Sequence, residues 1–259
     1  MSKRQFRIWR GNTKGGRLVD YTVDSEPGMV VLDAIHRIQS HQATDLAVRW
    51  NCKAGKCGSC SMEINGKPRL SCMTRMNEFA PDATITVQPL KTFPIIKDLV
   101  TDVSWNYEQN KRIPPFKPRA KGADGQYRMM QRDVGRVQEF RKCIECYLCQ
   151  DVCHVLRDHN QKDKFVGPRF MIRLASLDMH PLDTEDRITK IKEEYGSSMC
   201  NITRCCTEVC PEHIQITDNG IIPLKERVVD RYYDPILWLV RKIFKRASPS
   251  LKNASTHHR

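Results

Sequence analysis

Cys143-Ile144-Glu145-Cys146-Tyr147-Leu148-Cys149-Gln150-Asp151-Val152-Cys153 places four cysteines in eleven residues, spaced C-x2-C-x2-C-x3-C. The chain here must turn tightly enough for several thiols to converge. In bacterial-type ferredoxins such a run gives three ligands to one [4Fe–4S] cluster, and its fourth cysteine serves a second cluster. A partner run is therefore expected. Read backwards from Cys210-Pro211, it is Cys200-x5-Cys206-x3-Cys210-Pro211. Against C-x2-C-x2-C-x3-C-P, the second cysteine position falls on Thr203, so one ligand is missing. By the crossover rule, Cys210 completes a [4Fe–4S] cluster with Cys143, Cys146 and Cys149. Cys153, Cys200 and Cys206 remain, and three thiolates suit a [3Fe–4S] cluster, a cubane lacking one corner. Cys205 stands beside Cys206, outside this register. It reads as a small buried hydrophobe; the competing reading is a fourth ligand or a replacement for Cys206, although Cys206 alone keeps the x3 spacing.

A second cysteine set lies earlier. Cys52, Cys57 and Cys60 follow C-x4-C-x2-C, with Cys72 further on. This is the plant-type [2Fe–2S] spacing. Each iron needs two thiolates, and three of the four come from one loop. Gly55 and Gly58 let that backbone approach closely and aim N–H groups at sulfur, and Ser59 can add a further donor. Zinc sites favour two C-x2–4-C pairs with a long gap between them, so this triplet suits zinc poorly.

Twelve cysteines in 259 residues also fit a secreted disulfide protein. The opening residues, Met1-Ser2-Lys3-Arg4-Gln5-Phe6-Arg7-Ile8-Trp9, hold no apolar signal region and no transit-peptide pattern. Reduced thiols in a cytosol-like compartment are expected, with metal on them. No apolar run approaches the roughly 18 residues of a membrane span. The formal charge of +13 suggests an anionic partner, nucleic acid or a lipid surface, or simply a solvated basic surface.

The spacing of apolar residues divides the chain. Residues 1–103 read as an α+β unit. Phe6–Trp9 and Leu18–Val23 are paired strands around a Gly-rich turn, Val31, Ala34, Ile35 and Ile38 mark a helix, Asn65-Gly66 marks a hairpin, and Thr84–Val87 is the last strand. Residues 104–136, rich in proline, glycine and basic side chains, read as a connector with little core of its own. Residues 137–235 read as mostly helical, including Arg169–Leu177 and Asp186–Tyr195. Residues 236–259 form a basic tail. Within it, Ile236, Leu237, Leu239, Val240, Ile243 and Phe244 share one face of a helix and Arg241, Lys242, Lys245 and Arg246 the other. This suits a membrane interface or a partner subunit.

Taken together, these motifs resemble the iron–sulfur subunit of succinate dehydrogenase and fumarate reductase over about residues 5–235. Cys52 through Cys60, Asn65-Gly66, Leu70-Ser71-Cys72, Pro94–Leu99 and Cys210-Pro211 to Lys225 carry the resemblance. It implies a β-grasp [2Fe–2S] ferredoxin domain followed by an α-helical two-cluster ferredoxin domain. It also implies a separate flavoprotein subunit holding FAD and the dicarboxylate site, and a membrane anchor that helps to bind quinone. The subunit would sit peripherally on the cytoplasmic face of the plasma (inner) membrane, with no catalytic residue of its own. Electrons would pass from flavin through the [2Fe–2S], [4Fe–4S] and [3Fe–4S] clusters to quinone, or backwards in fumarate reduction. The chain has no G-x-G-x-x-G, which agrees with dinucleotide chemistry on another chain.

Two departures matter. Many members of that family carry proline after the cysteine at position 153, with tryptophans soon after, whereas this chain runs His154-Val155-Leu156-Arg157. Asn201 stands where some members carry histidine. The family's quinone contacts are therefore not transferred, and His154 is the alternative candidate. A reductase feeding a non-quinone acceptor is a further reading. A nucleic-acid-binding role is disfavoured, because the clearest basic run lies on an amphipathic helix rather than among exposed aromatics.

Overall fold

A computed structural model describes residues 2–235; the basic tail lies outside them. Two compact units form, and they alternate along the chain. The first takes the chain as far as Tyr107, then Cys143–Asn160 and Cys205–His213; the second takes Glu108–Lys142, Gln161–Arg204 and the chain from Ile214 onward. The strands are β1 (Ser2–Asn12), β2 (Gly15–Ser25), β3 (Ser61–Ile64), β4 (Lys67–Leu70), β5 (Ile85–Gln88), β6 (Ile95–Lys97) and β7 (Val100–Thr101). The helices are α1 (Val31–His41), α2 (Ser104–Arg112), α3 (Gln131–Gln138), α4 (Leu148–Asp151), α5 (His154–Arg157), α6 (Pro168–Asp178), α7 (Ile188–Glu193), α8 (Cys205–Glu208) and α9 (Ile222–Tyr232).

The first unit is built on a mixed sheet. β1 alternates buried Arg4, Phe6 and Ile8 with exposed Lys3, Gln5 and Arg7, the period of a strand with one face on a core. It pairs antiparallel with β2 along its length and parallel with β5 through Phe6–Ile8. The path runs β4-β3-β5-β1-β6-β7, with β2 also on β1. Asn65 and Gly66 both take positive φ, 48° and 75°, as the tight β3–β4 turn requires. Helix α1 lays Val31, Ala34, Ile35 and Ile38 into the sheet's core, each fully buried beside Phe6, Ile8, Ile85 and Val87. Burying a large aliphatic side chain of this kind contributes about 1.5–3 kcal/mol. The Asp33 carboxylate accepts the Val30 N–H at 3.1 Å and so starts the helix.

Thr84–Val87 is not the last strand. β6 and β7 follow it, too short to show an alternation. Asp98 holds their turn in place: its buried carboxylate accepts N–H groups of Gly11 and Ala47, each at 2.9 Å, and the Arg10 Nε at 3.1 Å.

The second unit gathers α3, α6, α7, α9 and a π-helical turn at Ile216–Ile221. Helix α6 starts at Pro168, the favoured first helical position, and buries Phe170, Met171, Leu174 and Ala175. The connector departs from expectation. Residues 104–112 and 131–138 are helical, and the proline segment between them is anchored. Arg187, fully buried, pairs with buried Asp183 at 2.9 Å. It also donates to the carbonyls of Pro114 at 3.1 Å and Pro115 at 2.6 Å. Ile113 is buried, and the Tyr195 hydroxyl donates to the Arg112 carbonyl at 2.8 Å. Outside any helix or strand, these carbonyls need donors, and a distant arginine supplies them, which composition alone does not reveal.

Candidate functional site: the cysteine loops of the first unit

The loop from Cys52 to Cys60 reverses direction through left-handed residues: Lys53, Gly55 and Gly58 have φ of 55°, 67° and 68°. These turns aim backbone donors at sulfur. The N–H groups of Ala54 and Lys56 approach the Cys52 Sγ at 3.4 and 3.3 Å. Burial opposes ionisation of the Cys57 thiol, but hydrogen bonds from Ser59 and from backbone groups of Cys52 and Ser59 outweigh it and bring the thiol down to about 7. A thiol so placed is ready to act as a ligand. Cys72 arrives from the far end of β4. Ser71, fully buried, donates both its N–H and its hydroxyl to the Cys60 carbonyl at 3.1 Å, which joins the two segments. Burial pushes the Cys72 thiol up to about 12, aided by the Cys60 thiol hydrogen-bonded to it and by the negative charge of Cys60 and Cys52, against a Gly55 N–H.

The second loop uses the same device. Glu145 and Tyr147 take φ of 56° and 61°, turning the chain into α4. Burial, then the nearby charges of Cys143 and Cys210, drive the Cys146 thiol up to about 12 against a Leu148 N–H. Cys149 is pushed well above the ordinary thiol range by burial and by Cys146, Cys143, Cys206 and Cys210. Cys153, which precedes α5, is pushed up to about 12 by burial and by Cys205 and Cys206, against the N–H groups of Leu156 and Val155.

Thiolates packed so deeply and so close together cannot all ionise without cations among them. Among the described residues, no three His, Cys, Asp or Glu ligands converge tightly enough for a single metal ion. An iron–sulfide core asks for a wider arrangement, because its irons divide the thiolates among themselves. The donor set, its burial and its backbone N–H groups fit such a core.

The two loops meet. A Cβ built on Gly58 would lie 2.6 Å from the Cα of Cys146 and 2.9 Å from its N, so only glycine fits there. Lys56 pairs with Glu212 at 3.1 Å, beside Cys210-Pro211. Leu32, Cys60, Leu70, Cys72, Leu90, Phe93, Tyr147 and Leu148 form one buried cluster beneath both loops.

Residues 5–108 match the family model of a 2Fe-2S iron-sulfur cluster binding domain, and residues 139–214 that of a 4Fe-4S dicluster domain. An uncharacterized iron–sulfur protein of Methanococcus maripaludis is 32% identical over 237 residues; the match covers 88% of this chain but only 44% of that protein. The fumarate reductase iron–sulfur subunit of Mycobacterium tuberculosis is 30% identical over 202 residues, 75% of this chain and 79% of the relative. A chain in the solved Mycobacterium smegmatis Sdh1 complex in its apo form superposes with a TM-score of 0.88 at 64% identity, covering 91% of this chain and 99% of that one. This chain belongs to the succinate dehydrogenase and fumarate reductase family of iron–sulfur subunits. Its architecture is the α+β one of that family, a [2Fe–2S] ferredoxin-type sheet domain and a helical iron–sulfur domain.

In this iron–sulfur subunit the predicted cysteines separate as follows. Cys52, Cys57, Cys60 and Cys72 share one neighbourhood. Cys143, Cys146, Cys149 and Cys210 share a second, and Cys153 and Cys206 lie together. Cys200 belongs to the other compact unit, where Lys225 Nζ donates to its carbonyl at 2.6 Å. Cys205 is half-buried rather than buried and lies near Cys153. His154, half-buried on α5, meets the His159 ring edge-on at 6.0 Å.

A carboxylate pair escaped the sequence reading. Glu63 and Asp151 are fully buried. Glu63 pairs with Arg157 at 3.0 Å and Lys91 at 3.3 Å. Asp151 accepts the Thr92 N–H at 3.0 Å and is pushed up to about 7, by burial first and then by Glu63, against the Thr92 N–H and Arg157. The visible signal was an acidic residue inside the C-x3-C segment between Cys149 and Cys153.

Among the described residues, no helix is long and apolar enough to cross a membrane.

Proposed function

We propose that this chain is the electron-transfer subunit of a succinate:quinone oxidoreductase. It relays electrons from the FAD of a partner flavoprotein to a quinone held with a membrane anchor. Cys52, Cys57, Cys60 and Cys72 hold a [2Fe–2S] cluster, Cys143, Cys146, Cys149 and Cys210 a [4Fe–4S] cluster, and Cys153, Cys200 and Cys206 a [3Fe–4S] cluster. Such clusters carry one electron at a time. The chain supplies thiolate ligation, burial and hydrogen bonds to sulfur, which set their potentials.

The approach of Gly58 to Cys146 carries the reading, because it brings the first two cysteine sets together without intervening side chains. The same subunit serves fumarate reduction when the electrons run the other way. The likeness to the Sdh1 complex chain, higher in identity than that to the fumarate reductase subunit, favours succinate oxidation. The complex sits on the cytoplasmic face of the inner membrane, with residues 236–246 adding contact to the lipid surface or the anchor.

Redox-titrated electron paramagnetic resonance of the purified complex, with succinate as donor, tests this. Signals of three distinct clusters are expected, and succinate should reduce the [2Fe–2S] and [3Fe–4S] centres within turnover. A [2Fe–2S] or [3Fe–4S] centre that stays oxidised under succinate, or a count other than three, would defeat the proposal.

A further inference from the structure

The second unit contains a groove of about 430 Å³, in the size range of small-ligand sites. Arg119, Arg128, Arg132, Arg136 and Arg227 line it, and no lysine does. The guanidinium fork matches the oxygens of phosphate and carboxylate, and an all-arginine lining is what bidentate recognition asks for.

Not all of these charges are already matched. Arg128 pairs with Asp124 at 2.5 Å, and Arg227 with buried Asp178 at 3.2 Å. Arg132 reaches Asp133 only at 3.8 Å. Arg119 donates to the Arg128 carbonyl at 2.7 Å. Among the described residues, neither Arg119 nor Arg136 has a carboxylate within ion-pair distance. Asp183, the remaining acid of the lining, is engaged by Arg187. An adjoining hollow that shares Arg136 and Arg227 is lined by Glu139, Glu226 and Asp230. Within the groove, the positive charge without an ion-pair partner among the described residues is therefore that of Arg119 and Arg136. Met129 and Met130, 42% and 59% exposed, also line the groove and offer it an apolar surface.

We propose that this groove binds a ligand carrying a phosphate group, its oxyanions held by Arg119 and Arg136 and its apolar part resting on Met129 and Met130. The phosphate comes either from a free phosphorylated metabolite or from an anionic lipid headgroup. The inference is independent of the electron-transfer reading.

The test uses the intact purified complex. Equilibrium dialysis with radiolabelled inorganic pyrophosphate is run on the wild type, on Arg119→Gln/Arg136→Gln, and on Lys14→Gln as an exposed control elsewhere. Native mass spectrometry with phosphatidylglycerol, and phosphatidylcholine as its neutral counterpart, forms the second arm. Saturable pyrophosphate binding weakened at least tenfold in the double variant, with the control unchanged, supports the proposal with a free metabolite as the source. Phosphatidylglycerol adducts lost only in the double variant support it with a headgroup as the source. Binding of both probes that ignores the two arginines, or no saturable binding at all, overturns it. So does loss of a partner subunit from the double variant with probe binding unaltered, which would mean that the arginines hold an acidic protein segment.

Discussion

Gly58 lies so close to Cys146 that a single methyl group on it would fall 2.6 Å from the neighbouring Cα. Its φ of 68° adds a second demand that only glycine meets without cost. Gly58→Ala should therefore either push the two cysteine loops apart or distort both. The expected result is lower iron content and at least a tenfold slower reduction of the [3Fe–4S] centre by succinate, because electrons reach it through the cluster at Cys146. Iron assay and freeze-quench spectroscopy would check it, and a variant with full iron and an unaltered rate would contradict it.

Arg187 and Asp183 form a fully buried ion pair that also carries the proline carbonyls of residues 114 and 115. Removing Arg187 leaves the buried Asp183 charge without its paired cation, although Asp183 still accepts the N–H groups of Lys117 and Glu185, and leaves the proline carbonyls without their donor. Arg187→Met should cost about 3–5 kcal/mol, and Arg187→Met/Asp183→Leu should recover part of that loss. Chemical denaturation monitored by circular dichroism measures both.

Asp151 gives the fold a pH dependence. Its carboxyl is raised to about 7 in the folded chain, so the folded state holds a proton that the unfolded state has already released. Stability should fall as pH rises from about 4 towards 7 and level off above it, with a slope of at most about 1.4 kcal/mol per pH unit. Asp151→Asn keeps an acceptor for the Thr92 N–H and lacks the titrating proton. Denaturation midpoints at pH 5.5 and 8.5 should differ less in this variant than in the wild type.

Cys205 and Cys206 are adjacent on α8, and they should behave differently. Cys205→Ser should keep the oxidised [3Fe–4S] resonance, and Cys206→Ser should lose it. The reverse result would transfer the ligand role to Cys205.

The features legible in the sequence are those fixed by local chemistry. Asn65-Gly66 announces its turn because both residues must adopt positive φ, and the spacing of Val31, Ala34, Ile35 and Ile38 announces a helix face. The cysteine spacings grouped Cys52, Cys57, Cys60 and Cys72, and Cys143, Cys146, Cys149 and Cys210, which do share neighbourhoods, whereas Cys200 falls in the other compact unit from Cys153 and Cys206. What stayed hidden depends on partners distant in sequence. β6 and β7 are held by Asp98 reaching Gly11 and Ala47. The proline segment is held by Arg187, more than 70 positions away. The Glu63–Asp151 pair joins β3 to the second cysteine loop. No short-range pattern encodes such pairings, because burial and charge matching select them only once the chain has folded.

The alternation of the two units along the chain bears on how the protein is made. The first unit needs Cys205–His213, which leave the ribosome long after its sheet. Until that segment emerges, Cys143, Cys146 and Cys149 lack the Cys210 thiol expected to join them. Their environment is completed only once Cys205–His213 have been made, so filling of this second thiol set has to wait for that segment, whereas Cys52, Cys57, Cys60 and Cys72 are all in place much earlier. A premature stop between positions 149 and 205 would leave Cys143, Cys146 and Cys149 as an open, oxidation-prone set of thiols.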